Sequence, residues 1–217
     1  ELRKNADARK EALAAADIAF LCLPDAAAVE AVALAEGSKV KIIDTSTAHR
    51  TNDAWAYGFA ELSAAHRSAI ENSSRVANPG CHASGFIASV YPLVAGGIIP
   101  ADFPLTAYSL TGYSGGGKSL IAEYEDENRD PRHESHRIYG LPLQHKHLPE
   151  IKSVCSLDFA PAFNPIVSDF YSGMVVTVPL FASDLAEGVT IADIKAYKAR
   201  SNCLTSGQVL SRDYDHE

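Results

Sequence analysis

Ile18-Ala-Phe-Leu-Cys-Leu23-Pro-Asp25 and Val40-Lys-Ile-Ile-Asp44 are two short apolar runs, each closed by polar or turn-forming residues. Their length and flanks suit buried strands better than helices. Between them Ala26 to Glu36 reads as a helix, with Gly37 as its natural C-terminal stop. A charged, Ala-rich stretch over residues 1–15 reads as a helix ahead of the first run. Helix, strand, helix, strand in that order implies a parallel sheet with crossover helices. Ligands bind such sheets beyond the carboxyl ends of the strands. Leu23-Pro24-Asp25 and Asp44-Thr45-Ser46 therefore fall at the expected ligand edge, although plain connecting loops have the same look.

Further along, Phe59 to Glu71 reads as a helix and Ser74 to Ala77 as an extended run. Pro79 and Gly80 force a turn between that run and an apolar helical segment, Phe86 to Val94. Beyond Gly96-Gly97 and Pro100 the texture changes. Strands are expected at Leu105 to Leu110 and Gly173 to Phe181, and a last helix at Ile191 to Ala199, capped by Thr190. A boundary near residue 78 divides an α/β portion, 1–77, from a more antiparallel α+β portion, 78–217.

The 217 residues suffice for a sizeable core, and 47% hydrophobic content fits a globular chain. A net charge of −8 argues against a nucleic-acid partner, which calls for a basic surface. No apolar run approaches the roughly 18 residues of a membrane span, and no signal sequence opens the chain. Cys22, Cys81, Cys155 and Cys203 are sparse and lack CxxC pairing. That argues against zinc and a disulfide scaffold, and places the chain in a reducing cytoplasm.

Three stretches carry chemistry. Asn78-Pro-Gly-Cys81-His82-Ala-Ser-Gly85 sets Cys81 at the first turn of a helix, where backbone N–H groups and the dipole favour a thiolate. A buried Cys packing as a small hydrophobe is the rival reading. Gly112-Tyr-Ser-Gly-Gly-Gly-Lys118-Ser119 matches the P-loop pattern between a strand and a helix, so a nucleotidase is a serious alternative. More broadly, a glycine loop with Lys118 makes an anion cradle. His145-Lys-His147-Leu-Pro149-Glu150 leads into a short helix. Its histidines suit a general base for Cys81; surface histidines are the plain reading, and a metal pair lacks a third ligand. Arg50 at the ligand edge has the fork that grips carboxylate or phosphate, and an ordinary surface arginine is an equal reading of it.

Taken in register, Ala16 to Asp25, Ile43 to Arg50, Trp55 to Leu62, Ala77 to Cys81, Gly112 to Lys118 and Tyr139 to Glu150 resemble the type 2 N-acetyl-gamma-glutamyl-phosphate reductases of the semialdehyde dehydrogenase superfamily. The resemblance implies an incomplete Rossmann-type dinucleotide-binding domain followed by an α+β catalytic domain like that of glyceraldehyde-phosphate dehydrogenases. It implies NADPH-dependent reduction of an acyl phosphate to an aldehyde, in arginine biosynthesis, through a thioester on Cys81. His147 matches the base, with His145 as second choice. Leu23, Pro24, Ser46, Ser114 and Gly115 match cofactor-facing positions; Arg50, Asn78 and Lys118 match substrate-facing ones. The implied partners are a small-molecule substrate, phosphate and further copies of the chain, as a dimer or tetramer. A semialdehyde dehydrogenase acting on aspartate or an aminoadipate derivative is the alternative within the class.

Two departures stand out. No glycine-rich dinucleotide fingerprint precedes Glu1 and no glycine-rich closing segment follows Glu217, so the expectation is a chain trimmed at both ends that binds NADP weakly or not at all. Position 82 is His where the family usually shows Tyr.

Overall fold

A computed structural model describes residues 4–181 and 185–200. Cys203 lies outside the described residues. The chain divides into two compact units between Gly80 and Cys81, three residues beyond the expected boundary.

The first unit is a four-stranded parallel sheet. Its strands are β1 (Ile18–Leu21), β2 (Lys41–Asp44), β3 (Ala56–Tyr57) and β4 (Arg75–Ala77), in the order β1-β2-β4-β3. The helices are α1 (Ala6–Ala15), α2 (Asp25–Leu34) and α3 (Ala64–Asn72). Side-chain caps fix two of their starts: Asn5 accepts the Ala8 N–H at 3.1 Å, and Ser63 accepts the His66 N–H at 3.2 Å. Gly37 takes a positive φ of 76° just past α2, as a chain stop requires. The core joins Leu21, Ala28, Ala31, Ala35, Val40 and Ile42. Three of these six are alanines of α2 and its C-cap, whose small side chains let the helix lie close on β1 and β2. The expected helix over Phe59 to Glu71 begins later, at Ala64, because Ser63 supplies the cap. Trp55 to Gly58 contributes the edge strand β3, which pairs with β4 and carries no alternation of its own to announce it.

The second unit opens with α4 (Cys81–Ala95). Its strands are β5 (Thr106–Gly112), β6 (Arg137–Ile138), β7 (Ala162–Ser168) and β8 (Met174–Thr177), ordered β6-β7-β5-β8. A 3-10 turn (Tyr113–Gly116) leads from β5 into α5 (Gly117–Glu125), a second lies at Pro131–Glu134, and α6 (Leu148–Val154) and α7 (Ile191–Arg200) follow. Phe86, Ile87, Val90 and Leu93 of α4 are buried, each contributing about 1.5–3 kcal/mol as an upper estimate. Gly85 sits where a Cβ would meet Val176 Cγ2 at 2.5 Å, so only glycine lets β8 pack this closely on α4.

The sheet is mixed rather than chiefly antiparallel. Its longest ladder, β5 with β7 from Thr106↔Ala162 to Gly112↔Ser168, is parallel, while β8 and β6 pair antiparallel at the edges. β7 escaped sequence reading because Pro165 interrupts it, and proline normally excludes a central strand. The Pro165 carbonyl accepts from the Tyr139 N–H at 3.0 Å. A strand residue directs its N–H and C=O to the same side, so the missing donor faces the end of short β6 and leaves the β5 ladder whole.

Candidate active site

In the first unit the carboxyl ends of β1 and β2 are tied together. The Asp25 carboxylate accepts the Thr47 N–H at 2.9 Å and also its hydroxyl. Asp44, fully buried at the end of β2, accepts the Ser46 N–H at 3.0 Å, the Ser46 hydroxyl at 2.6 Å, and lies 2.6 Å from His49 Nδ1. His49 in turn stacks on Trp55, ring centroids 4.1 Å apart. Sequence reading missed this Asp44–His49–Trp55 stack. Ser46 is therefore buried with its donors turned to Asp44, whereas Leu23 is exposed at the same edge. Arg50 donates from Nε to the Asn78 carbonyl and from Nη2 to the Thr45 carbonyl, both at 2.9 Å. The Asn78 N–H donates to the Asp44 carbonyl at 2.7 Å. Arg50 thus braces the turn that precedes Cys81 from within its own unit.

In the second unit Cys81 is exposed as the first residue of the 15-residue α4, where first-turn amides lack intrahelical partners. Cys155 is its opposite: buried under α6, with its thiol pushed up to about 12 by burial, it packs and stays protonated. Next to Cys81, His82 is 4% exposed. Its Nδ1 lies 2.6 Å from the Ser109 hydroxyl of β5 and its Nε2 lies 2.7 Å from the Tyr139 hydroxyl. Burial, then His145 and Lys146, push the His82 imidazole down to about 4. Burial, then the charge of Cys81, push the Tyr139 phenol up to about 12, so the two residues are electrostatic neighbours.

His145 and His147 complete the cluster. Their ring centroids are 4.8 Å apart, and lie 5.3 and 5.6 Å respectively from that of His82. Phe163 of β7 stands against His82 and His145. His147, the N-cap of α6, is buried, while His145 is half-buried with its Nδ1 accepting the His147 N–H at 3.2 Å. Burial and then Lys146 lower the His145 pKa. Among the described residues no group of three or more His, Cys, Asp or Glu is arranged to hold a metal ion.

The glycine loop is built differently from the P-loop reading. Gly112, Tyr113 and Ser114 donate their N–H groups to the carbonyls of Gly173, Phe170 and Tyr171 at 2.9–3.0 Å. A Cβ at Gly112 would meet the Phe170 and Tyr171 oxygens at 2.6 and 2.7 Å. The loop's first three amides thus clamp the 170–173 backbone instead of turning to a ligand. Gly115 and Lys118 are exposed at the start of α5 and Ser114 is half-buried; none has a hydrogen bond or ring contact to the Cys81 cluster. Ser109 is the residue sequence reading overlooked. Its signal was a polar residue on the core-facing side of an alternating strand.

The parallel unit and the mixed-sheet unit that begins at α4 are matched by two domain models. Residues 2–72 match the semialdehyde dehydrogenase NAD-binding domain and residues 81–202 the semialdehyde dehydrogenase dimerisation domain. The chain belongs to the semialdehyde dehydrogenase family. It is 50% identical over 196 residues to proteins named N-acetyl-gamma-glutamyl-phosphate reductase from Sinorhizobium fredii and Brucella ovis. Those matches cover 89% of this chain but 64% and 63% of the relatives, so the chain spans just under two thirds of their length. An aspartate semialdehyde dehydrogenase from Francisella tularensis shares the fold, with TM-score 0.66 at 14% identity over 88% of this chain and 65% of that one. No described helix is long and apolar enough to cross a membrane.

Proposed function

We propose that this chain carries the nucleophile of an N-acetyl-gamma-glutamyl-phosphate reductase, which converts the acyl phosphate to N-acetylglutamate semialdehyde and phosphate in arginine biosynthesis, in the cytoplasm. The observation that carries the reading is an exposed Cys81 at the start of α4 beside Tyr139 and a cluster of three imidazoles. The Cys81 sulfur forms a bond to the acyl carbon while the bond from that carbon to the phosphate oxygen breaks, and phosphate departs with the electron pair. NADPH, when bound, supplies the hydride that reduces the resulting thioester. The oxygen charge then re-forms the carbonyl, expelling the Cys81 thiolate and the aldehyde. The amides of α4 stabilise the oxyanion at each addition. His145 Nε2–H joins them as a donor, and His147, the base expected from sequence, is the residue that buttresses it.

For the cofactor, the exposed Leu23 and Pro24 at the carboxyl edge of β1 fit a ring face. The first turn of α2 is less suited to phosphate, because Asp25 occupies it. Arg50 supports the substrate side by bracing Asn78, and Lys118 with Gly115 offers a place for the departing anion. A homo-oligomer fits the second unit, whose sheet has one face left open among the described residues: Val175, Leu110, Ile166 and Ile138 share a row across β8, β5, β7 and β6, and Val175 and Ile138 are 61% and 53% exposed.

The decisive experiment is NADP reduction with N-acetylglutamate semialdehyde and phosphate, comparing the protein with its Cys81→Ser variant. Loss of essentially all turnover with retained folding is expected. Undiminished turnover in the variant would refute the thioester route. Aspartate semialdehyde serves as the competing substrate.

A further inference from the structure

Arg137 opens β6, and the register of the sheet fixes which face it occupies. It stands opposite Val167, which pairs with Thr111, and both of these are buried. Ser109, two residues before Thr111, faces the same way and lies 2.6 Å from the ring of His82, the neighbour of Cys81. Val176, opposite Ser109 on β8, is the side chain against which Gly85 of α4 packs. Arg137 is therefore on the face that α4 covers. Tyr139, whose hydroxyl is 2.7 Å from His82 Nε2, is about 7 Å further along the same strand direction.

The guanidinium is held in place without being neutralised. Its Nη2 donates to the Tyr124 hydroxyl at 3.0 Å, and Cζ lies 5.4 Å from the centre of that ring. Tyr124 is buried and stacks with Tyr113 and His133, at 4.7 and 4.6 Å between ring centroids. The carboxylates around this stack are engaged elsewhere. Asp169 accepts a fork from Arg129 at 2.9 and 2.8 Å, Glu123 faces His133, and Glu125 accepts the Tyr113 hydroxyl. Among the described residues Arg137 makes no ion pair, and its buried Nε has no hydrogen-bond partner. A half-buried cation left uncompensated costs free energy, which an arriving anion recovers.

We propose that Arg137 is a substrate-binding residue that takes the α-carboxylate of the N-acetylated substrate. This rests on the proposed reaction, in which the acyl carbon is held at Cys81. Acetylation removes the amino charge, so the α-carboxylate is the substrate's one ionic group besides its phosphate. Arg50 is occupied by two backbone carbonyls, and Lys118 is assigned to the departing anion. A guanidinium stays charged and presents the planar fork that a carboxylate fits. Neutral rings orient that fork and leave its charge to the ligand.

The test is calorimetric titration of the whole chain with N-acetyl-L-glutamate and with N-acetyl-γ-aminobutyrate, which lacks only the α-carboxylate. The wild-type protein should bind N-acetylglutamate about tenfold to hundredfold more tightly. Arg137→Met, which keeps a stem on Tyr124, should bind the two ligands equally. Arg137→Lys, charged but without the fork, should fall between. Full discrimination retained in Arg137→Met, or none in the wild type, would overturn the proposal. Circular dichroism checks that the variants fold, and a second measurement needs no variant. In nitrogen NMR the Arg137 Nε–H signal should move with N-acetylglutamate and stay put with N-acetyl-γ-aminobutyrate or inorganic phosphate at equal concentration. A response to phosphate alone would give Arg137 to the leaving group and equally overturn it. Neither readout involves turnover. An active Cys81→Ser enzyme would sink the thioester route and leave these ligand contrasts standing.

Discussion

His145 Nδ1 accepts the backbone N–H of His147 at 3.2 Å, and that contact divides the roles of the two imidazoles. With Nδ1 engaged as an acceptor, neutral His145 carries its proton on Nε2. Its lowered pKa, from burial and then Lys146, keeps the neutral form dominant. In the proposed site His145 is thus a hydrogen-bond donor to the acyl oxygen. His145→Gln, which retains a donor, should lose roughly tenfold in kcat/KM, while His145→Ala should lose about 10²–10³. Steady-state kinetics on both variants decides this. Equal losses would show that proton transfer is what His145 supplies.

The buried His82 also makes stability depend on pH. Its pKa is lowered from 6.5 to about 4 in the folded protein. Between those values the unfolded chain binds the proton more readily, so stability falls as pH drops through the window and is fully retained above pH 6.5. The penalty below pH 4 is about 3 kcal/mol, from about 1.4 kcal/mol per pKa unit. Urea midpoints at pH 7.5, 5.5 and 4.5 should therefore fall more steeply for the wild-type protein than for His82→Gln. Parallel pH curves would mean that the imidazole titrates normally in the folded state.

The parallel half of the fold was legible because its signals are local. Two apolar runs, a helix between them and Gly37 at its end fix β1, α2 and β2 without reference to anything distant. Cys81 at the head of α4 was legible for the same reason, through Pro79 and Gly80. What escaped depends on partners far along the chain. β7 is a strand because β5 supplies its ladder and Tyr139 takes the Pro165 carbonyl. The glycine loop reads as one continuous cradle, and only the structure shows that its first three amides are taken by the 170–173 backbone. Ser109 and Tyr139 acquire a role only when His82, 27 residues before Ser109 and 57 before Tyr139, is brought between them.

Gly85 shows how closely α4 is held to the sheet. A methyl group there would stand 2.5 Å from Val176 Cγ2 and 3.1 Å from its Cβ. Gly85→Ala must push β8 away or displace the helix that bears Cys81, at a cost of about 1–3 kcal/mol. Val176→Ala alone should be milder, and the double variant should recover much of the loss, because the shortened side chain removes the clash. Urea denaturation of the three variants measures this as a coupling energy. Additive losses would indicate that Gly85 matters for a reason other than Val176.

The open face of the second sheet carries the last prediction. Val175 and Ile138, 61% and 53% exposed, share a row with Leu110 and Ile166. Four aliphatic side chains across four strands form a contiguous patch of the kind that marks an association surface. Because Val175 lies on the edge strand β8 with its side chain outward, a charge there leaves the fold's interior untouched. Val175→Glu would place that charge inside the proposed contact, unpaired and desolvated once two copies meet. It should shift the protein to monomer in analytical ultracentrifugation while circular dichroism remains that of the wild type. An unchanged oligomer in Val175→Glu would move the contact to another surface.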